Sequence, residues 1–376
     1  MTAAPRTSHP IEGNTPVQGP VQFVVIGSGW RSEFFLRLAQ AAPEQLQVVA
    51  VVARRPSEAE RLSARWGVRT VGTVDEALAL RPEFVVPAVS WPAMPVVTRE
   101  LVAAGVKVLA ETPPAPDLDG LRSLWEEVGS SGLVQVAEQY TRMPGHAARL
   151  AVVGDGVIGA PTSVEVASTH LYHAVSLVRG YLGVDMAETV VDARTFVAPL
   201  ADPLSFHGWV PDAQPEPRTT TVATLDFGDG RMGLYDFVDN QWWNPLRARR
   251  VVVRGSLGEI VDDEVTRLTP EGPITSPVVY RRTGVDMNLE GNDVVHASFD
   301  GRVVWRNAWV GTRFSEDDLA VADHLVATGA WARDEAPGPY PLAQACQDHA
   351  IGLAIEESAR TRTDVRVAKE PWAAGA

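Results

Sequence analysis

The stretch VQFVVIGSGWRSEFFLRLAQ, residues 21–40, restricts the fold more than any other part of the chain. An apolar, β-branched run ends at Gly27. A helical pattern begins just after it, with Phe34, Phe35, Leu38 and Ala39 on one stripe. A strand that passes through a glycine turn directly into a helix is the first half of a β-α-β unit. The alternation then continues. LQVVAVVA reads as a strand, and Pro56 opens the helix SEAERLSARWG, which Gly67 stops. VDEALAL is a short helix, FVVPAV a strand and VVTRELVAAG a helix. VKVLAE is a strand, LDGLRSLWEEVGSSG a helix and LVQVAEQY a strand. Apolar strands separated by helices predict a parallel sheet covered on both faces.

After about residue 140 the pattern changes. HAARLAVVGDG reads as a helix and PTSVEVAST as a strand. HLYHAVSLVRGYLG has helical spacing, which puts His170 and His173 on one face and Tyr172 roughly away from them. TTTVATLDFGDGRMGLYDFV predicts a hairpin at its Gly-Asp-Gly turn. DVVHASFDGRVVWRN predicts another, because Asp300-Gly301 suits a type I′ turn. Two helices follow, SEDDLAVADHLVATGAW and LAQACQDHAIGLAIEESART. The expected fold is α/β. A Rossmann dinucleotide-binding domain spans 21–140, and a C-terminal α+β domain with a large, mostly antiparallel open sheet spans 141–376.

Bulk properties narrow the function. A chain of 376 residues exceeds one ordinary hydrophobic core, so two domains are expected. Residues 1–20 are polar and rich in Pro and Gly, and read as a disordered tail rather than a signal peptide. A cytoplasmic location is the expectation. No apolar run is long enough for a membrane helix. The net charge of −14 argues against a nucleic-acid surface. Cys346 is the single cysteine, so there is no intrachain disulfide and no Cys-based metal site. His170 and His173 have the spacing of a ligand pair but no evident third ligand, so no metal is expected.

Gly27, Ser28, Gly29, Trp30 and Arg31 form the candidate phosphate cradle. Gly27 allows the tight turn, Gly29 lets a pyrophosphate approach, and the helix N-terminus offers N–H donors. Ser32 stands where a third glycine is usual. The second strand ends in Ala53, Arg54 and Arg55 rather than in the acid that accepts ribose hydroxyls from NAD. Two guanidiniums there suit a 2′-phosphate, so NADP(H) is the expected cofactor, with NAD(H) the alternative.

Four features together resemble the glucose–fructose oxidoreductase/inositol dehydrogenase (Gfo/Idh/MocA) family. They are GSGWRS after the first strand, the segment AAGVKVLAETP, the His-x5-Arg-x3-Gly spacing in HAVSLVRGYLG, and a Rossmann half followed by an open-sheet half. The resemblance implies a nicotinamide oxidoreductase acting on a carbinol or carbonyl of a sugar, cyclitol or related small molecule. It also implies a homo-oligomer formed through the C-terminal sheet. The family's Glu-Lys-Pro is Glu111-Thr112-Pro113 here, so the lysine that assists proton transfer is missing. Lys107 and Lys369 do not replace it. Thr169 stands in place of an acid, Met94 in place of a histidine, and Ser90 and Trp91 in place of a Pro-Asn pair near the cofactor.

The proton carrier is therefore sought elsewhere. His173 takes the position of the family's histidine and titrates near neutrality. His170 is a second substrate-binding candidate. Tyr172 and Tyr140 are helpers, Thr112 can donate a hydrogen bond, and Glu111 is expected to hold the cofactor. The pair Trp242-Trp243 is read as packing on a sheet face or oligomer interface. Two other readings keep the fold without net redox turnover. One is a non-catalytic cofactor- or sugar-binding sensor or partner subunit; the other is an enzyme whose tightly held cofactor serves a net non-redox reaction.

Overall fold

Six parallel strands form the first sheet of the computed structural model, which describes residues 19–288 and 291–375. Most of the tail expected over residues 1–20 lies outside the described residues. The elements run β1 (Val21–Ile26), α1 (Trp30–Ala41), β2 (Leu46–Val52), α2 (Pro56–Trp66), β3 (Thr70–Val71), α3 (Val74–Leu78), β4 (Phe84–Pro87), α4 (Met94–Ala103), β5 (Val108–Ala110), α5 (Leu118–Val128) and β6 (Val134–Val136). Their order in the sheet is β3-β2-β1-β4-β5-β6, all parallel. This is a Rossmann dinucleotide-binding domain. The order reverses between β1 and β4, which opens a crevice at the C-terminal strand ends. Phe23, Val24 and Val25 of β1 and Phe35 and Leu38 of α1 are fully buried, so the apolar stripe of α1 packs on the sheet.

The second half begins with α6 (Pro144–Gly154), β7 (Pro161–Ala167), α7 (Leu171–Leu182) and β8 (Thr189–Ala201). A nine-stranded sheet runs in the order Gly272–Pro277, Glu264–Thr269, Gly258–Val261, Arg250–Gly255, β7, Met232–Val238, Pro215–Asp226, β8, Val365–Val367. It is mostly antiparallel; β7 pairs in parallel with Met232–Val238. Both expected hairpins form. Asp300 and Gly301 have φ of 50° and 75°, as a type I′ turn requires. Helices α8 (Glu316–Ala332) and α9 (Leu342–Thr361) close the chain, and α7 and α9 cover one face of the sheet. On β8 and its neighbour, Phe196, Val197 and Val222 stay exposed. Among the described residues, no helix is long and apolar enough to cross a membrane.

Part of the His-x5-Arg-x3-Gly pattern is structural. Arg179 is buried on α7 and donates to Asp348 Oδ1 (2.5 Å) and Gln344 Oε1 (2.6 Å) of α9. Gly183 ends α7 at φ 63°. Helix α8 returns to pack against β1 and β4, and Asp318 at its start accepts from Arg37 of α1. These ties set the second half against the strand ends of the first.

Two local expectations fail. Strand β6 stops at Val136, and Tyr140–Arg142 form a 3₁₀ turn. Helix α7 starts one residue after His170, which is extended (φ −98°, ψ 150°), and Leu171 sits at φ 39°. Tyr172 nevertheless lies beside His173, with ring centroids 4.4 Å apart, rather than away from it.

Candidate active site

A cleft of about 910 Å³ lies between the Rossmann strand ends and the second domain. It is lined from one side by Gly29, Trp30, Arg31, Trp91, Glu111 and Thr112. From the other come Tyr140, His170, Tyr172 and His173, so most of the sequence candidates converge. Others do not line it. Ser90 is exposed, and its carbonyl accepts from the amides of Ala93 and Met94 at the start of α4. Arg54 and Arg55 are exposed at the end of β2. The Ser28 carbonyl accepts from Arg61 Nη2 (3.0 Å).

The glycine turn suits a pyrophosphate. A Cβ at Gly27 would stand 2.3 Å from the Ala88 carbonyl oxygen, so only glycine lets β1 turn this close to β4. A Cβ at Gly29 would meet nothing within 4 Å, which leaves an open approach. Glu33 makes the first intrahelical bond of α1, to the Gly29 carbonyl, and no side chain caps the amides before it. Those amides can receive an anion.

The floor of the cleft carries a residue that the sequence reading passed over. Glu138, two residues past β6, is 2 % exposed, and its Oε2 lies 2.5 Å from His173 Nδ1. Its Oε1 accepts from the Tyr140 amide at 3.1 Å. The contact leaves His173 Nε2 for the cleft. Burial pushes the Glu138 carboxyl up to about 8, against the pull of the Tyr140 amide, the Ser176 hydroxyl and the Arg31 charge. Burial likewise pushes His173 down to about 3. Both shifts favour the uncharged partners, with the carboxylic acid donating to Nδ1. Removing one proton leaves a carboxylate facing Nδ1–H and an Nε2 lone pair facing the cleft. The phenols are poor proton carriers by comparison: burial raises Tyr140 to about 12 and Tyr172 higher still. His170 is lowered to about 3, by burial first and by His173 second.

Glu111 accepts at Oε1 from Arg31 Nε (2.7 Å). Thr112 follows it, joined to Pro113 by a cis peptide. Lys107 is committed elsewhere, to Trp331 O, Ala332 O and Asp334.

Trp242 and Trp243 line the cleft, and Trp242 also packs on Phe237 of the sheet, as expected. They stack on each other at 5.5 Å, and Trp242 meets His170 edge-on at 4.7 Å. The loop after strand Met232–Val238 delivers them there, because Gln241 Nε2 donates to Ala167 O and Ala248 O and anchors it. Three buried polar atoms of cleft-lining residues have no partner among the described residues: Ser168 Oγ, His170 Nδ1 and Gln139 Oε1. Flat aromatic faces in a cleft lined by polar side chains suit a polyhydroxylated ligand. Among the described residues, no group of three or more His, Cys, Asp or Glu could hold a metal ion.

Residues 21–139 match the GFO_IDH_MocA family model, described as an oxidoreductase family with an NAD-binding Rossmann fold. The dinucleotide-binding half is therefore of that Rossmann type. No curated protein matches the chain by sequence. Solved structures match over nearly its whole length. An oxidoreductase from Agrobacterium radiobacter in complex with NAD+, L-tartaric acid and magnesium is 16 % identical, with a TM-score of 0.64 over 92 % of this chain and 98 % of that one. A myo-inositol dehydrogenase from Corynebacterium glutamicum is 16 % identical, with a TM-score of 0.63 over 93 % and 99 %. A levoglucosan dehydrogenase in complex with NADH and levoglucosan is also 16 % identical, with a TM-score of 0.64 over 93 % and 99 %. At such identities the likeness establishes a shared fold.

Proposed function

We propose that this chain is a nicotinamide-dependent oxidoreductase of the Gfo/Idh/MocA type that interconverts a carbinol and a carbonyl on a sugar-like molecule. The single observation that carries the reading is the buried His173–Glu138 pair, which lies at the same strand edge as an intact phosphate turn. The relatives that bind NAD+ or NADH beside tartaric acid or levoglucosan lend support.

A bound nicotinamide supplies hydride transfer at the substrate carbon. The chain supplies position and the proton step. The amides at the start of α1 hold the pyrophosphate. In the oxidising direction, the carbinol O–H gives its proton to His173 Nε2, and the Glu138 carboxylate stabilises the charge that forms on the ring. In the reducing direction the same nitrogen returns the proton to the new alkoxide. Tyr140, Tyr172 and Thr112 donate hydrogen bonds that fix the reacting oxygen, and His170 and Trp242 hold the rest of the substrate. Arg54 and Arg55 receive the 2′-phosphate of NADP(H). The exposed face around Phe196 and Val197 pairs with a second copy, which sedimentation would detect as a dimer or larger.

The test combines purified protein, each nicotinamide cofactor and a panel of sugars, cyclitols and sugar acids, with both nicotinamide absorbance and products followed. Turnover of any panel member supports the reading. Tight cofactor binding with neither absorbance change nor product across the panel refutes it and leaves a sensor.

A further inference from the structure

We propose that the substrate is a hydroxy acid: the Arg31 guanidinium grips a carboxylate beside the carbinol that His173 serves, so sugar acids are preferred over neutral sugars. The inference rests on the oxidoreductase reading and adds the substrate class to it.

Arg31 is the second residue of α1, yet its side chain crosses to the end of β5. Its Nε donates to Glu111 Oε1 at 2.7 Å, and that is its one hydrogen bond among the described residues. Nη1 and Nη2 make none, although the side chain is only 16 % exposed and lines the cleft. The guanidinium carbon lies 4.9 Å from the Phe34 ring and 5.2 Å from the Phe35 ring. Glu111 and these rings thus hold the fork in place while its outer N–H groups stay open. A fixed planar fork with two free nitrogens matches a carboxylate, which accepts two parallel bonds.

The acids that face Arg31 do not use the open nitrogens. Glu111 takes Nε alone, and Asp317, on α8, accepts from Gln139 Nε2 at 3.1 Å. Arg31, Tyr140 and His173 line the same cleft. Other cations are less suited. Arg149 is spent on Asp262 O and Asp263 Oδ1. Arg249 has no hydrogen bond or ion pair among the described residues, but it is exposed, and its charge acts on His146. A phosphate of the cofactor is the second source of an anion, and the open amides of α1 already provide for it.

The test compares glucuronate and galactonate with glucose and myo-inositol, by turnover with NADP(H) and by calorimetric binding to the cofactor-free protein. The acids are expected to exceed the neutral sugars at least tenfold in kcat/KM and in affinity. Arg31→Gln should lower that acid-over-neutral ratio about 10- to 100-fold, a larger change than any it makes in cofactor Kd. Arg31→Lys, which keeps charge without the fork, should fall between. Arg249→Gln should keep the ratio. Three results overturn the proposal: neutral sugars equal to or better than acids, a preference that follows Arg249, or an Arg31→Gln variant that loses cofactor affinity with its acid preference intact. If turnover is absent altogether, the oxidoreductase reading fails, and calorimetry still decides what Arg31 binds.

Discussion

Glu138→Gln tests the central pair with almost no change of shape. The parent carboxyl is fixed at both oxygens, with Oε1 held by the Tyr140 amide and Oε2 facing His173 Nδ1. Because the Tyr140 amide is a donor, the glutamine must place its carbonyl there. Its NH₂ group then faces Nδ1 and donates to it. That arrangement locks the imidazole proton on Nε2, so the ring can give a proton to the cleft but cannot take one. Carbinol oxidation should fall by about 10²–10⁴, the usual contribution of a positioned general base. In the parent, oxidation should rise with pH and level off above an inflection near 8, where Glu138 loses its proton. In Glu138→Gln that inflection should vanish.

Stability gives an independent readout of the same group. The folded carboxyl is raised from 4.5 to about 8, so the native state binds the proton more tightly than the unfolded chain. Its contribution is fully present below pH 4.5 and is lost as pH rises through 8. The cost of ionising it in place is on the order of 5 kcal/mol. Glu138→Gln should therefore melt higher than the parent at pH 9 and no higher at pH 4. Oxidation within threefold of the parent, with the inflection still near 8, would refute the reasoning.

Three further perturbations probe separate links. Gly27→Ala drives a methyl to 2.3 Å from the Ala88 carbonyl at φ 128°; nicotinamide binding, followed by fluorescence titration, should be lost. Arg179→Met strands the buried Asp348 carboxylate, and urea unfolding should show a loss of about 3–5 kcal/mol with cofactor affinity little changed in the surviving folded protein. Arg54→Ala and Arg55→Ala should each lower the NADP-over-NAD affinity ratio about tenfold, the worth of one charge-assisted bond, and equal losses for both cofactors would contradict a 2′-phosphate contact.

How much of this was readable in the chain follows from the range of each interaction. The β-α alternation, the glycine turn before Trp30 and the Asp300-Gly301 hairpin are local, so periodicity and turn chemistry reveal them. The orientation of Tyr172 is also local, yet it was misread. Helical spacing presumes a helix through His170, whereas His170 is extended and the helix begins at Leu171, at φ 39°. Trp242 packs on Phe237 as expected, but the pair's place in the cleft has no local signal, because a loop anchored by Gln241, not a periodic element, carries it there. Glu138 and His173 are 35 residues apart, and Arg31 and Glu111 are 80 apart, so no spacing rule joins either pair. One signal was nevertheless available. Glu111 follows β5 and Glu138 lies just past β6, so both acids sit at the same C-terminal edge of a parallel sheet, where ligands of such folds bind. The missing lysine after Glu111 drew attention to one strand end, while the next strand end held the acid that pairs with His173. On the proposed reading, the positive charge that such a lysine would bring and the proton transfer that it assists are divided here. Arg31 bonds to the carboxylate just before the vacated position and would bring the charge; His173, backed by Glu138, would move the proton. An arginine cannot lose its proton in a protein, so the first task could pass to Arg31 only if the second passed to a group that titrates.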